Sequence, residues 1–483
     1  MNGQRPALEP IRSAYRLQYL TDEQLDQLQE ATLDILENVG VKFPSEKALR
    51  VFSEHGAQVD HGTQIVKLKR GMVFDAMKTV PRYFVMGARD SIYDLQLQDG
   101  TTYFTTDGCG VQVCELETGT IRPSTKADVA MMARVADYLP SIGFIWPMVS
   151  AQDYGRTSIL HELDAVWNNS VKHVQSETIM GERECQYAIE MATVIAGSRE
   201  ELRKRPPLSL VVCTISPLIQ DEAGIEGAMV MAQAGVPVVF LSMPCLGTTA
   251  PATQAGALAM GDAEIISATV LMQLVAPGAP VGHSMMQAWA DPRTGGYVSY
   301  PRDARGRYGV VEMAHHWGMP SLGACYGTDS AETATWQSAA EPALDPLLAG
   351  LVSPEIVTGM GLARTYTRLY PEQIILDNDL YQRARTYLSR MDVDDETLAM
   401  DAIKAVGPGG HFLAQKHTRT HIRTSLVRGV THELDANSKY RDPREVAREQ
   451  VKHIIETHKP EPLENTQQTE INRILAAAGK ELG

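Results

Sequence analysis

The stretch PVVFLSMPCLGTTAPATQAGALAMGDAEIISATVLMQLVAPGAPVGHSMMQAW spans residues 237–289. It opens on one apolar run, Pro237–Met243, and closes on another, Pro280–Trp289. Both are apolar nearly throughout rather than alternating, as strands covered on both faces are. Between them Ala252–Val275 has the length of a helix, with Pro251 near its first turn and Gly278 just beyond its end. The stretch therefore reads as strand, helix, strand. It overlaps an uncharged segment, Gly227–Gly261. Pro237, Pro244, Pro251 and several glycines punctuate that segment, which fits strand, turn and helix better than a membrane span.

The same cycle recurs on both sides. Apolar runs at Tyr103–Gly110, Gly143–Ser150, Val171–Glu177, Leu208–Ser216, Pro320–Tyr326 and Ile356–Leu362 bring the candidate strands to eight. Lys126–Tyr138 (capped by Ser124 or Thr125), Glu182–Ala196, Arg305–Trp317 and Trp336–Leu351 have helical patterns between them. Eight such units predict a (β/α)₈ TIM barrel over residues 99–383. A doubly wound open sheet is the alternative. No Gly-x-Gly-x-x-Gly follows a strand, however, and no Walker motif occurs. Residues 1–98 are expected to form an N-terminal helical cap, with mixed, short elements from Val41 to Leu97. Its first helix starts at Asp22, with Thr21 and Gln24 as a capping box, and stops at Gly40. Residues 384–483 are expected to be a helical C-terminal extension packed on the barrel.

Composition narrows the function classes. The chain has 483 residues, 44% hydrophobic and 21% charged, the balance of a globular protein. Its net charge of −15 lacks the basic footprint of nucleic-acid binding and disfavours anionic membranes. The first twenty residues carry no signal-peptide core, so a cytoplasmic protein is expected. Cys109, Cys114, Cys185, Cys213, Cys245 and Cys325 include no Cys-x-x-Cys and read as buried reduced thiols.

In a barrel, chemistry sits at the C-terminal ends of the strands. That rule selects Thr106 and Asp107, then Trp146, then His173, Gln175 and Glu177, which share one side of their strand. Gln287 and Trp289 follow on the sixth run, Tyr326 and Asp329 on the seventh, Arg364 and Tyr366 after the eighth. The set is rich in aromatics and amides. It has no Ser-His-Asp, Cys-His or H-E-x-x-H pattern. Trp146, Trp289, Tyr326 and Trp336 could form a cage for a cation, since ring faces attract quaternary ammonium groups. Met243, Met285 and Met286 suit the same soft wall.

Five segments, TKADVAMMARVADYLPSIGF (125–144), NNSVKHVQSET (168–178), GACYGTDSAETATWQSAAE (323–341), PEQIILDNDLY (371–381) and GPGGHFLAQKHT (407–418), resemble the trimethylamine methyltransferase (MttB-like) superfamily. The resemblance runs from Leu20 to Leu482. It implies a (β/α)₈ barrel and transfer of a methyl group from a methylamine to the Co(I) corrinoid of a separate protein. Founding members carry pyrrolysine. This chain has only the twenty standard residues and resembles the branch that demethylates quaternary amines such as glycine betaine, proline betaine and carnitine. No cofactor is then held by this chain. The corrinoid comes with a partner, and the Asp-x-His-x-x-Gly signature of corrinoid modules is missing here. A homo-oligomer, most simply a dimer, is expected.

The resemblance directs the search for site residues to Thr328–Glu341, with Asp329 and Trp336 foremost, and to His411 after its glycine-rich turn. A betaine carboxylate would want an Arg or amide donors, for which Arg364, Arg302, Gln175 and Gln287 are available. Glu177 could balance the ammonium. Two other readings stay open: a non-catalytic quaternary-ammonium-binding barrel, and a hydrolase with a metal at Asp107, His173 and Glu177.

Overall fold

The computed structural model describes residues 7–176, 181–426 and 428–483. Its central sheet has eight parallel strands: β1 Tyr103–Thr106, β2 Ile142–Ile145, β3 His173–Ser176, β4 Leu208–Cys213, β5 Val238–Ser242, β6 Val281–Met285, β7 Leu322–Cys325 and β8 Ile356–Met360. They pair in the order β6-β5-β4-β3-β2-β1-β8-β7. A parallel bridge between His283 of β6 and Ser321, just before β7, closes the ring. Each expected run holds one strand, and closure leaves no open edge, which removes the doubly wound alternative.

Side chains alternate between the two faces. Tyr103, Phe144, Val211, Val239, Leu322 and Ile356 fill the interior, and Met86, Leu95 and Leu97 join them from a short hairpin that plugs the strands' N-terminal end. The other face packs under helices. The first helix, α1 (Asp22–Asp34), has the expected Thr21–Gln24 capping box and belongs to the N-terminal segment. The helices around the barrel are α2 (Lys126–Tyr138), α3 (Ser158–Asn169), α4 (Glu182–Ala196), α5 (Glu222–Ala234), α6 (Gln254–Val275), α7 (Gly306–His316), α8 (Asp345–Val352) and α9 (Gln373–Tyr387). After its first helix the N-terminal segment consists of mixed, short elements: a three-stranded antiparallel sheet, Val41–Lys42, Gln58–Asp60 and Ile65–Lys67, accompanies further helices.

Helix α6 has the length and composition to cross a membrane, yet 89% of its apolar window is buried in the protein. It can be apolar all round because α1 and Arg70–Met77 cover the side turned away from the barrel. Two buried carboxylates interrupt it. Glu264 accepts hydrogen bonds from Thr214 Oγ1 (2.5 Å), Ser242 Oγ (2.7 Å), the Leu218 N–H (2.8 Å) and Ser216 Oγ (3.0 Å). Asp262 accepts from Thr32 Oγ1 of α1 (2.7 Å) and Trp317 Nε1 (2.8 Å), and lies 2.8 Å from His283 Nε2 of β6. One helix thereby holds the ends of β4 and β5, the middle of β6 and the N-terminal cap.

The register slips once in β7, between Leu322 and Cys325, and once in β8, between Val357 and Met360. Gly359 makes the second slip possible: its φ is +113°, and a Cβ there would lie 1.7 Å from the Tyr326 carbonyl oxygen. The slips turn Tyr326 away from the interior. It is fully buried edge-on to Phe104, which in turn packs on Tyr381, and its hydroxyl donates to the Asp377 carbonyl (2.9 Å).

Beyond α9 the chain runs through an exposed segment containing α10 (Lys416–Ser425). It then returns as α11 (Pro443–Thr457), against α2 and α9, and α12 (Asn465–Leu482), against α3 and α4.

Replacing Glu264 with Ala strands four donors at once, two of them buried. The expected loss is about 3–5 kcal/mol, measured by urea denaturation, with Glu264→Gln losing less.

Candidate functional site

Three neighbouring strands build one side of the barrel mouth. Asp107 follows β1, Trp146 follows β2, and Gln175 lies in β3. All three are buried. Thr106 sets the level of Trp146: its hydroxyl donates to the Trp146 carbonyl (2.6 Å) and accepts from the Trp146 N–H (2.9 Å). The Trp146 indole lies flush against Gly108, where a Cβ would be 1.9 Å from Nε1, so only glycine admits the ring. Indole Nε1 finds no hydrogen-bond partner, and neither does Gln175 Nε2. Buried N–H groups without partners cost about 1–3 kcal/mol each, and such vacancies need an explanation. Asp107 Oδ1 accepts from the Cys109 N–H (3.0 Å), and burial pushes its carboxyl up to about 6.

His173 shares the inward side with Gln175 but lies one layer nearer the plug at the strands' N-terminal end. Its Nδ1 lies 2.8 Å from the Gly87 carbonyl of the plug and its Nε2 2.9 Å from Ser209 Oγ. Burial lowers it to about 4, so it is neutral. It is a packing residue of the barrel floor, not part of the mouth. Its neighbour Lys172, also buried, donates to the carbonyls of Ala136 (2.9 Å), Leu139 (2.7 Å) and Ile142 (2.7 Å) and closes the C-terminal end of α2. Glu177 lies outside the described residues. Among the described residues, no three His, Cys, Asp or Glu side chains converge as a metal site would need.

The opposite side of the mouth comes from the loops after β6, β7 and β8. Asp329 gathers them: it accepts from the N–H groups of Ser299 (2.8 Å) and Tyr300 (3.1 Å) and from Thr365 Oγ1 (3.1 Å). Glu341 supports it, accepting from Thr328 Oγ1 and the Asp329 N–H. Arg364, Thr365 and Tyr366 are all left-handed, with φ of 52°, 52° and 63°. Each such residue costs about 1 kcal/mol or more, and runs of this kind gather at functional loops. The run delivers Tyr366 onto Tyr300, hydroxyl to hydroxyl. Gly327 lies beneath, where a Cβ would be 2.7 Å from the Tyr366 ring. The guanidinium of buried Arg307 sits 4.3 Å from the centre of the Tyr300 ring.

The aromatic wall expected from the sequence is thus rearranged. Trp146 holds its place, but Tyr326 belongs to the packing between barrel and helices. Trp336 is 87% exposed at the start of the short helix Trp336–Ala340 and encloses nothing. Trp289 is half-buried in a strand paired with Leu246 and Val298, above the rim. Gln287 braces helix ends rather than lining the mouth: its Nε2 donates to the Gln254 carbonyl (3.0 Å), and it packs on Gly306 of α7. Arg364 points its exposed side chain to solvent, and His411 lies on the exposed segment beyond α9. Tyr366 stands at the mouth as the strand rule selected it, and Tyr300 and Arg307 are the residues that the sequence reading missed as site groups. No local motif marks them, since the left-handed run that brings Tyr366 onto Tyr300 contains no glycine. Cys109 corrects the thiol reading: it is exposed, while Cys114 and Cys185 are buried.

The rim carries its own pattern. Val111 after β1, Tyr154 after β2, Ile215 after β4, Met243 after β5, Tyr297 after β6 and Trp336 after β7 are each at least 40% exposed.

Asp329→Ala removes the acceptor shared by three loops. Hydrogen exchange over residues 297–301 and 364–367 is expected to rise at least about tenfold, with little change in the barrel strands.

The family described as "Trimethylamine methyltransferase (MTTB)" matches residues 3–483. The trimethylamine methyltransferase MttB of Desulfitobacterium hafniense is 32% identical over 453 residues, 92% of this chain and 90% of that protein. MttB of Methanosarcina thermophila is 30% identical over 458 residues, covering 93% and 95%. A glycine betaine methyltransferase of Desulfitobacterium hafniense is 26% identical over 472 residues, covering 96% and 98%. The crystal structure of the Methanosarcina barkeri monomethylamine methyltransferase superposes with a TM-score of 0.50 over 90% of this chain and 92% of that one, at 11% identity, a likeness of fold. With the match extending over essentially its whole length, this chain belongs to the trimethylamine methyltransferase (MttB) family and is a methyltransferase.

Proposed function

We propose that this methyltransferase takes its methyl group from a small zwitterionic quaternary amine, glycine betaine or similar, and passes it to the Co(I) corrinoid of a separate protein. The observation that carries this reading is the pair of buried, partnerless N–H donors, Trp146 Nε1 and Gln175 Nε2, on the two strands next to the one that ends at buried Asp107. Two neutral donors at one level suit a carboxylate. Asp107, buried just past the end of β1, balances the ammonium, and the methyl groups of a betaine bound this way face the opening.

The chemistry asks little else of the protein. The methyl acceptor supplies the nucleophile. The C–N bond breaks with its electron pair left on nitrogen, which departs as a neutral tertiary amine. No proton moves, so no general acid or base is required. The residues contribute position and exclusion of water. Because the ammonium loses its charge as the bond breaks, Asp107 stabilises the bound amine more than the transition state. The mouth has to admit a protein-borne corrinoid, and the six exposed apolar residues of the rim suit docking of such a partner. The relatives' names divide between trimethylamine and glycine betaine. The donor pair favours the substrate that bears a carboxylate.

The test is to mix the protein anaerobically with Co(I) cobalamin, then with a cognate corrinoid protein, adding glycine betaine, proline betaine, carnitine, choline or trimethylamine singly. Growth of the methylated corrinoid spectrum, with an equal amount of tertiary amine, is expected for a betaine and not for choline. Binding of a betaine without transfer to either acceptor would make the protein a quaternary-ammonium-binding barrel.

Asp107→Asn is expected to raise KM at least about tenfold without lowering kcat. A quaternary ammonium cannot titrate, so pH dependence of its binding reports the protein. Asp107, held at about 6, is ionised above that pH, and betaine affinity should fall as pH drops through 6. Isothermal titration from pH 5 to 8 checks this, and Asp107→Asn should flatten the profile.

A further inference from the structure

Residues 391–428 form an arm that the rest of the chain does not cover. The arm starts beyond Leu388, past the C-terminal end of α9, and rejoins the body at Val430, whose N–H donates to Asp379 (3.1 Å). That end of α9 is remote from the mouth: Tyr381 reaches the Glu9 carbonyl there, and the Glu9 N–H meets Pro140, at the N-terminal end of β2. The short helices Asp395–Leu398 and Met400–Val406 lead through the Gly407–Gly410 turn to α10. Among the described residues of the arm, none is buried. Met391 is 85% exposed, Leu413 79%, Val393 67% and Ile422 56%.

Such an arm has no core of its own. Helices this short are marginal in water, and ordering each residue costs about 1–2 kcal/mol. Apolar surface has to come from outside the chain, and an exposed apolar patch of this extent marks an interface. Position argues against the methyl-accepting protein as the occupant, because the arm leaves the body at the end of α9 remote from the mouth. Charge argues for a second copy. Asp392, Asp394 and Asp395 make the first half acidic, and Lys416, Arg419 and Arg423 make α10 basic. Between 391 and 428 there are five acids and five Lys or Arg, so the arm is neutral in a chain of net charge −15. Among the described residues, Lys416, Arg419 and Arg423 make no ion pair, while His421 faces Glu396 within the arm. A surface carrying both signs on separate halves is complementary to itself under a two-fold axis. Its length also exceeds the roughly 20–30 residues that one side of a standard interface uses.

We infer that the 391–428 arm is the self-association surface of this protein, covered by the arm of a second copy, with the acidic half of each against the basic helix of the other. Sedimentation velocity of the full chain is expected to give a dimer or an even-numbered assembly. Leu413→Asp with Ile422→Asp should give monomers with unchanged circular dichroism. Reversing the acids (D392K, D394K, D395K) or the bases (K416E, R419E, R423E) should each weaken association at least about 100-fold, and mixing the two variants should restore it. A monomeric wild-type chain overturns the inference, as does an assembly that survives Leu413→Asp with Ile422→Asp, or charge variants that fail to recombine. A monomer whose arm variants lose a separate corrinoid protein would assign the arm to that partner and overturn it equally.

Discussion

The barrel depends on a pair of carboxylates buried in its most apolar helix. Asp262 and Glu264 of α6 sit where water cannot reach, and desolvation raises the carboxyl of Glu264 above its usual range. Each is tolerated because donors converge on it. Those donors come from strands β4, β5 and β6, from the loop between β4 and α5, from α1 and from Trp317. A buried carboxylate with several satisfied bonds is worth less as raw stability than as a constraint, since few arrangements satisfy it. Here the constraint fixes the heights of three strands against one helix and locks the N-terminal cap to the barrel.

The mouth inherits its geometry from that frame and then departs from regularity. On one side it is built directly on strands: Asp107, Trp146 and Gln175 take their directions from the pleat and from close contact with Gly108. On the other side it is built on loops, where Asp329 and Glu341 hold three left-handed residues in place. A rigid strand side carrying polar groups and a clamped loop side carrying tyrosines suit a reaction that needs a held substrate and an open approach. The arm adds a third kind of surface. None of its described residues is buried, and its large apolar side chains stay exposed.

Much of this was legible in the residues. The eight apolar runs, the Thr21–Gln24 and Thr125–Asp128 caps and the long α6 all follow from local pattern, because capping and burial act within a turn or a strand. Trp146 and Gln175 were legible too, because strand position and alternation place them without knowledge of distant residues. Tyr326 was not. Period-two counting points it inward, and two register slips, one resting on Gly359, turn it outward. Trp336 and Gln287 look like site residues by type and position after a strand, but loop paths carry one into solvent and the other onto Gly306. Tyr300 and Tyr366 lie far apart in sequence and meet only because Asp329 binds both of their loops.

By itself, then, the sequence determined the (β/α)₈ barrel, the helices around it and two of the polar groups at its mouth, since hydrophobic periodicity and caps are local and each strand's inward side is set by its own pleat. Its resemblance to the MttB-like superfamily also led to the family. Tertiary structure alone decided which aromatics face the mouth, that His173 serves the floor and not the site, and that the GPGGHFLAQKHT segment with His411 stands on an uncovered arm. Those outcomes depend on bulges, clamps and docking between segments distant in the chain, whose energies no local pattern contains.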